Sequence, residues 1–295
     1  MKTLVMAMAS MMLAGGLASC ADSLSEVNME EPVEMCKEMV FDTGLRIGVA
    51  PWVNAHEVRQ VSRAPLSDCA KVLHCYDFMG DELKQSLTQK TSGEFTAQLR
   101  YGDHALRFLA HNSETDAPDK TGTTFAPQKV MDTFLCNLSL AVNAETERNQ
   151  LVRMKRVVGK VSVLIEDAIP AEVKTLQLIT DNHFGVLDMA TGYAKGEGAE
   201  CIRSWDLPSS MVGKTGQIVS VMTFVPADGM DTMVRIEALD SEGKVLHARQ
   251  VSVPVEVNRC TTAKCHLFSA GEGFAFEVLD EWEPGITIEM EEQPR

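Results

Sequence analysis

Cys20 is the residue of this 295-residue sequence whose surroundings most clearly define a reaction. One charge, Lys2, opens the chain; Thr3 to Leu17 carries none and is rich in Leu, Val, Met and Ala; Leu17-Ala18-Ser19-Cys20 follows. A positive start, an apolar run too short to span a bilayer and small residues leading into a cysteine form a lipobox. In that pattern the cysteine thiol accepts a diacylglyceryl group, the preceding peptide is removed, and Cys20 becomes the lipid-bearing first residue. The alternative is a plain secretory peptide that happens to end in cysteine. No other stretch reaches the roughly 18 to 20 apolar residues that cross a membrane.

The remaining reactive side chains do not assemble into a known centre. Seven further cysteines follow Cys20: Cys36, Cys69, Cys75, Cys136, Cys201, Cys260 and Cys265. An odd number leaves at least one thiol outside any disulfide. Cys260, Cys265 and His266 invite a metal or haem reading, but haem attachment requires C-x-x-C-H and zinc requires a second ligand pair. Small buried hydrophobes on strands are the expected role. Gly213-Lys214-Thr215 resembles the end of a phosphate loop, yet Pro208 stands where its first glycine is needed. The histidines (His56, His74, His104, His111, His183, His247 and His266) are scattered. Asp103-His104 sit on opposite faces of any strand, and Asp181 with His183 has no nucleophile beside it. Glu30-Glu31 and Glu291-Glu292 lie in polar segments near the ends rather than in a cleft. The expectation is no catalytic residue, no metal and no cofactor.

The elements that carry these residues read as strands. Without residues 1–20 the chain holds 26 Lys and Arg against 42 Asp and Glu, a formal charge of −16. Such a balance argues against nucleic acid, whose phosphates require a basic surface. Residues 21–38 have the composition of an acidic tether. Beyond them, alternating runs predict strands over 71–78, 94–100, 104–110, 157–166, 173–180, 217–225, 233–239 and 244–257, with a last stripe at Phe274, Phe276 and Val278. Residues 112–129 read as a long loop. Residues 130–142 fit a helix or a strand, since Val130, Phe134 and Leu138 share helical spacing. Pro254 implies an edge or a bulge in its strand. The polar run Asn143 to Gln150 is the expected seam between a domain at 39–149 and another at 150–295, giving two antiparallel β-sandwiches.

Particular segments also resemble a known family, the Bacteroidales fimbrillins (type V pilins). Leu151 to Val161 resembles the segment that opens their C-terminal domain. The likeness continues through Asp167-Ala168-Ile169-Pro170 and Phe184 to Gly192. It returns in Val251 to Thr262, similar to the family's "VP, then Asn-Arg, then Thr" stretch, and in Leu267-Phe268 and Asp280-Glu281-Trp282. It covers residues 151–282; the N-terminal half matches only as lipobox, acidic tether and β-rich segment. Cys265 departs from it, standing where a glycine is expected.

The resemblance implies an all-β protein of two tandem transthyretin-like sandwiches, exported as a lipoprotein to the outer membrane and built into fimbriae. Its partners would be other fimbrial subunits, the outer membrane through lipid on Cys20, and a host or bacterial surface ligand. In shaft subunits of that family, proteolysis after an arginine removes the lipidated first strand, whereas anchor subunits keep their lipid. Arg46 stands where such a cut falls, with Arg59 and Arg63 as rivals and a plain surface arginine as the alternative. Ile286, Ile288 and Met290 alternate as a donor strand would, or as a last strand of their own domain. A minor or anchoring subunit is the expected role. The alternative function is a surface lipoprotein that binds glycan or host protein through exposed aromatics, with Trp52, Trp205 and Trp282 the only tryptophans.

Overall fold

Apolar side chains that recur at every second position share one face of an extended strand, and the chain folds on that pattern almost throughout. The structure is a computed structural model and describes residues 35–43, 66–91, 94–113, 116–269 and 275–279. Its strands are β1 (Cys36–Asp42), β2 (Val72–Met79), β3 (Glu82–Lys90), β4 (Glu94–Arg100), β5 (Gly102–His111), β6 (Thr124–Phe125), β7 (Thr133–Val142), β8 (Asn149–Leu151) and β9 (Lys155–Arg156). They continue as β10 (Val158–Ile165), β11 (Thr175–His183), β12 (Leu187–Asp188), β13 (Ala199–Asp206), β14 (Gln217–Phe224), β15 (Met230–Leu239), β16 (Val245–Val255), β17 (Cys260–Cys265) and β18 (Ala275–Leu279). Helix is confined, among the described residues, to two single 3-10 turns, Leu66–Asp68 and Ser209–Met211. No helix among them is long and apolar enough to cross a membrane.

The strands form two face-to-face pairs of sheets. A three-stranded sheet, β4-β1-β8, covers a five-stranded one, β3-β2-β5-β7-β9. Met39, Phe41, Phe95 and Leu99 from the first meet Leu73, Cys75, Leu106, Phe108 and Phe134 from the second. Farther along, β14-β10-β17-β18 covers β13-β11-β15-β16. Val161, Val163, Ile165 and Val221 there meet Leu178, Val234, Ile236 and Val253. Each fully buried side chain of this kind contributes about 1.5–3 kcal/mol relative to exposure. Neighbouring strands are antiparallel except for β1 with β8 and β10 with β17. The all-β sandwich expected from the alternating runs is the observed fold.

A third core joins the two sandwiches. The outer face of the five-stranded sheet presents Tyr76, Phe78, Leu109 and Leu135 to Val157, Val158, Leu187, Met189, Phe224 and Cys260. A two-stranded ribbon of β6 and β12 lies there, pairing Phe125 with Leu187 and Thr124 with Asp188. Phe125 stacks on His111 on one side and meets Phe224 edge-on on the other.

Local details follow from the same rules. Residues 133–142 are a strand, in antiparallel register with β5 from Thr133 to Val142. Pro254 lies on β16, an edge strand of its sheet, opposite Asp231, where its missing N–H costs no ladder bond. Gly159 on β10 has no room for a side chain: a Cβ there would sit 2.6 Å from Val255 Cγ1 and 2.8 Å from the Glu256 carbonyl oxygen. Asn258, just beyond, adopts φ +59, a left-handed conformation that Asn tolerates better than most residues. Its N–H donates to the Val158 carbonyl at 2.9 Å, closing the turn between β16 and β17 onto β10.

Candidate assembly site

The seven residues of β1, Cys-Lys-Glu-Met-Val-Phe-Asp, offer only two large side chains to the core, yet the strand is seated on every side. Met39, Phe41 and the following Thr43 are 0% exposed, while Cys36, Glu38 and Asp42 face solvent. The Phe41 ring lies 5.2 Å from Phe108 and 6.4 Å from Phe95, which are themselves 5.9 Å apart. Cys36 to Asp42 run antiparallel to Arg100 to Glu94, and Val40 to Asp42 run parallel to Asn149 to Leu151. Main-chain bonds extend both ladders: Tyr101 N–H to Met35 O at 2.8 Å, Val40 N–H to Arg148 O at 2.8 Å, and Val152 N–H to Asp42 O at 2.9 Å. The Lys37 ammonium donates to the carbonyls of Ala144 and Thr146, and Arg148 pairs with Glu38 at 3.0 Å.

β4 and β8 belong to one sheet only because β1 lies between them. The seat is therefore two unlike hydrogen-bonding edges and a row of pockets for alternate side chains. Main-chain bonding supplies the affinity of such a seat for a strand, and the pockets supply register. In this structure β1 fills the seat through both ladders and the buried Met39, Phe41 and Thr43 side chains.

Cys20, Arg46, Ile286, Ile288 and Met290 all lie outside the described residues, as do Arg59, Arg63, Trp52 and Trp282. Trp205, on β13, is partly buried against the second sandwich core. Cys260 and Cys265 stand at opposite ends of β17 on opposite faces, one in the core between the sandwiches and the other in the second sandwich. Among the described residues no group of three or more His, Cys, Asp or Glu could hold a metal ion. Lys214 donates its N–H to the Met211 carbonyl, and Gly213 to that of Ile169, so this run closes a turn.

Among the described residues, four of the histidines, His74, His104, His111 and His183, are bonded into the fold, while His56 lies outside them and His266 is exposed beside Glu166. His104 bonds through Nδ1 to Asp77 Oδ1 at 2.6 Å and through Nε2 to the Arg100 carbonyl oxygen at 2.9 Å, rather than to Asp103. His183 Nε2 reaches the Met222 carbonyl oxygen at 3.1 Å, while Asp181 accepts from the Met233 N–H at 2.7 Å. His74 and His111 stack with their Nε2 atoms 2.9 Å apart. Burial, reinforced for His74 by His111, depresses both imidazoles to about 4.

Residues quoted for the family likeness prove to be structural ties. The Asp167 carboxylate accepts the N–H groups of Leu267, Phe268 and Ser269 at 3.0, 2.7 and 2.9 Å, tying the end of β10 to the end of β17. Burial alone would raise its pKa, but those donors hold it below the usual carboxylate range. Thr261 Oγ1 donates to the Pro254 carbonyl at 2.6 Å. Asp188 caps the turn after β12 by accepting the Ala190 N–H at 2.8 Å. Arg156 grips Asp132 with two bonds, stacks 5.0 Å from the Phe134 ring centroid and reaches Asn258 Oδ1 at 3.4 Å. Asp132, in the bend before β7, had no signal in the sequence, because its partner is 24 residues away on β9.

No family model matches the chain, and no curated protein matches it in sequence. Solved structures do. A candidate cell adhesion protein from Bacteroides ovatus ATCC 8483 is similar at 10% identity and TM-score 0.53, covering 84% of this chain and 99% of that one. A candidate adhesin from Bacteroides thetaiotaomicron VPI-5482 is similar at 8% identity and TM-score 0.52, covering 84% and 98%. The fimbrial anchor protein Mfa2 from Porphyromonas gingivalis gives 8% identity and TM-score 0.49 over 84% and 98%. The likeness to the first two, at such identities, establishes a shared fold.

Proposed function

We propose that this chain is a structural subunit of a cell-surface fimbrium, a minor or anchoring fimbrillin-like lipoprotein that joins its neighbours by β-strand exchange and supports adhesion. The observation that carries the reading is the seat of β1. The first described strand fills a gap between two edges that it alone joins, so its departure would leave a slot shaped for another strand. Arg46 follows four residues after Asp42 in the sequence, so a cut after it would free β1. Ile286, Ile288 and Met290 recur at the spacing of Met39, Phe41 and Thr43, as an incoming strand requires. In this reading residues 39–149 form the first domain and residues 150–295 the second, the acceptor seat draws on β4 and on β8 at the start of the second, and lipid on Cys20 fixes the subunit to the outer membrane. The fold shared with adhesins supports a surface role.

Surface preparations from native cells, run in detergent with and without heating, test this. Heat-labile multimers should be present, and should vanish when residues 284–295 are deleted. Intact mass measurement on the same material should show acylation at Cys20, and will show whether Arg46 is cut. Protein that stays monomeric at the surface and binds a glycan or host protein saturably would replace this reading with that of a surface binding module.

A further inference from the structure

The segment that carries the chain from the first sandwich to the second, residues 143–158, is tied to β1 along much of its length. Lys37 holds the carbonyls of Ala144 and Thr146, Glu38 holds Arg148, and the Val40 N–H donates to the Arg148 carbonyl. Asn149 to Leu151 are laddered on Val40 to Asp42, and Val152 donates to the Asp42 carbonyl. Val152 and Met154 are buried in the same core as Phe41. Four residues beyond Val152, Arg156 meets Asp132 on the first sandwich and Asn258 on the second. Val157 then donates to the Thr133 carbonyl, and Val158 accepts from Asn258.

We infer that β1 is a clamp on this connector, so that filling or emptying its seat sets how rigidly the two sandwiches are joined. The inference deepens the reading of β1 as an exchangeable strand, but the clamp itself is a property of the single chain. A subunit with its seat filled is a stiff unit; one with its seat empty flexes about residues 152–158. A strand that replaces β1 restores stiffness fully only if it presents a basic and an acidic side chain where Lys37 and Glu38 stand.

Hydrogen exchange read by mass spectrometry on the full chain tests the clamp. The double substitution Lys37→Ala, Glu38→Ala touches no core side chain. Amides 148–152 and, beyond them, 157–160 should exchange about threefold faster or more, the scale of losing exposed charged contacts, while 161–165 stay unchanged. Arg148→Ala, which releases the clamp from the other side, should reproduce the pattern, and Lys37→Arg should leave it as in the parent. Acceleration that stops at residue 152 in both variants, or is absent from both, overturns the clamp. These outcomes are independent of the multimer assay: loss of multimers with the exchange pattern intact would sink strand exchange alone.

Discussion

Asp132 and Arg156 face each other as a two-pronged pair, with Nε 2.6 Å from Oδ1 and Nη2 2.9 Å from Oδ2. The arginine side chain is 3% exposed and the aspartate 15%. Removing one partner strands a charge that burial has already stripped of water. Asp132→Ala should lower stability by about 3–5 kcal/mol, read from urea denaturation. Replacing both residues with apolar ones of similar volume should recover most of the loss; if the single and double variants are equally damaged, the pair is not what the site depends on.

Gly159 marks the closest approach of β10 to the turn after β16. Gly159→Ala forces a methyl against Val255, Val225 and the Glu256 carbonyl, and should cost about 1–3 kcal/mol. Gly185→Ala meets nothing within 4 Å and serves as the matched control. Equal melting temperatures for the two variants would refute the crowding argument.

The stacked His74 and His111 make the fold sensitive to acid above the range where carboxylates titrate. Their native pKa of about 4 lies below the unfolded value of 6.5, so the unfolded chain binds more protons between those limits. Stability is therefore full above pH 6.5 and falls as pH drops toward 4, by on the order of 3 kcal/mol for each histidine. Urea midpoints at pH 7, 5.5 and 4 measure this, and His111→Phe should flatten the profile. Midpoints that are level from pH 7 to 4.5 in the parent protein would remove the pair from consideration. Asp119 and Asp167 resist burial through N–H donors, with threonine O–H donors besides for Asp119, and act at lower pH.

Much of the architecture was legible before any coordinates. Glu94 to Arg100 alternates without exception, and β4 has those limits. Residues 130–142 were ambiguous for a physical reason: a spacing of four, as in Val130, Phe134 and Leu138, keeps one face of a helix and also one face of a strand. β3 gave no signal because Glu82 to Lys90 is an edge strand without a buried residue. The seat of β1 was hidden for the opposite reason. Its meaning lies in the partners at residues 94–100 and 149–151, and no local pattern records a neighbour more than fifty residues away.

Burial ranks the thiols. It pushes Cys69 up to about 11 and Cys265 to about 12, with nearby carboxylates adding to both, and raises Cys75 further still. Cys36 is exposed on β1. Alkylation at pH 8 followed by peptide mapping should label Cys36 first and leave Cys69, Cys75 and Cys265 unmodified until the protein unfolds. Early labelling of Cys75 in folded protein would contradict the ranking.

The unlike neighbours of β1 give its slot an arrow. One wall bonds in the straight pattern of antiparallel strands and the other in the slanted pattern of parallel ones, so a strand entered backwards would mismatch both walls at once. Subunits linked through such slots, as proposed, would all point the same way. A fibre assembled as proposed would have a head and a tail, and a unit whose slot is permanently occupied would stand only where the line stops.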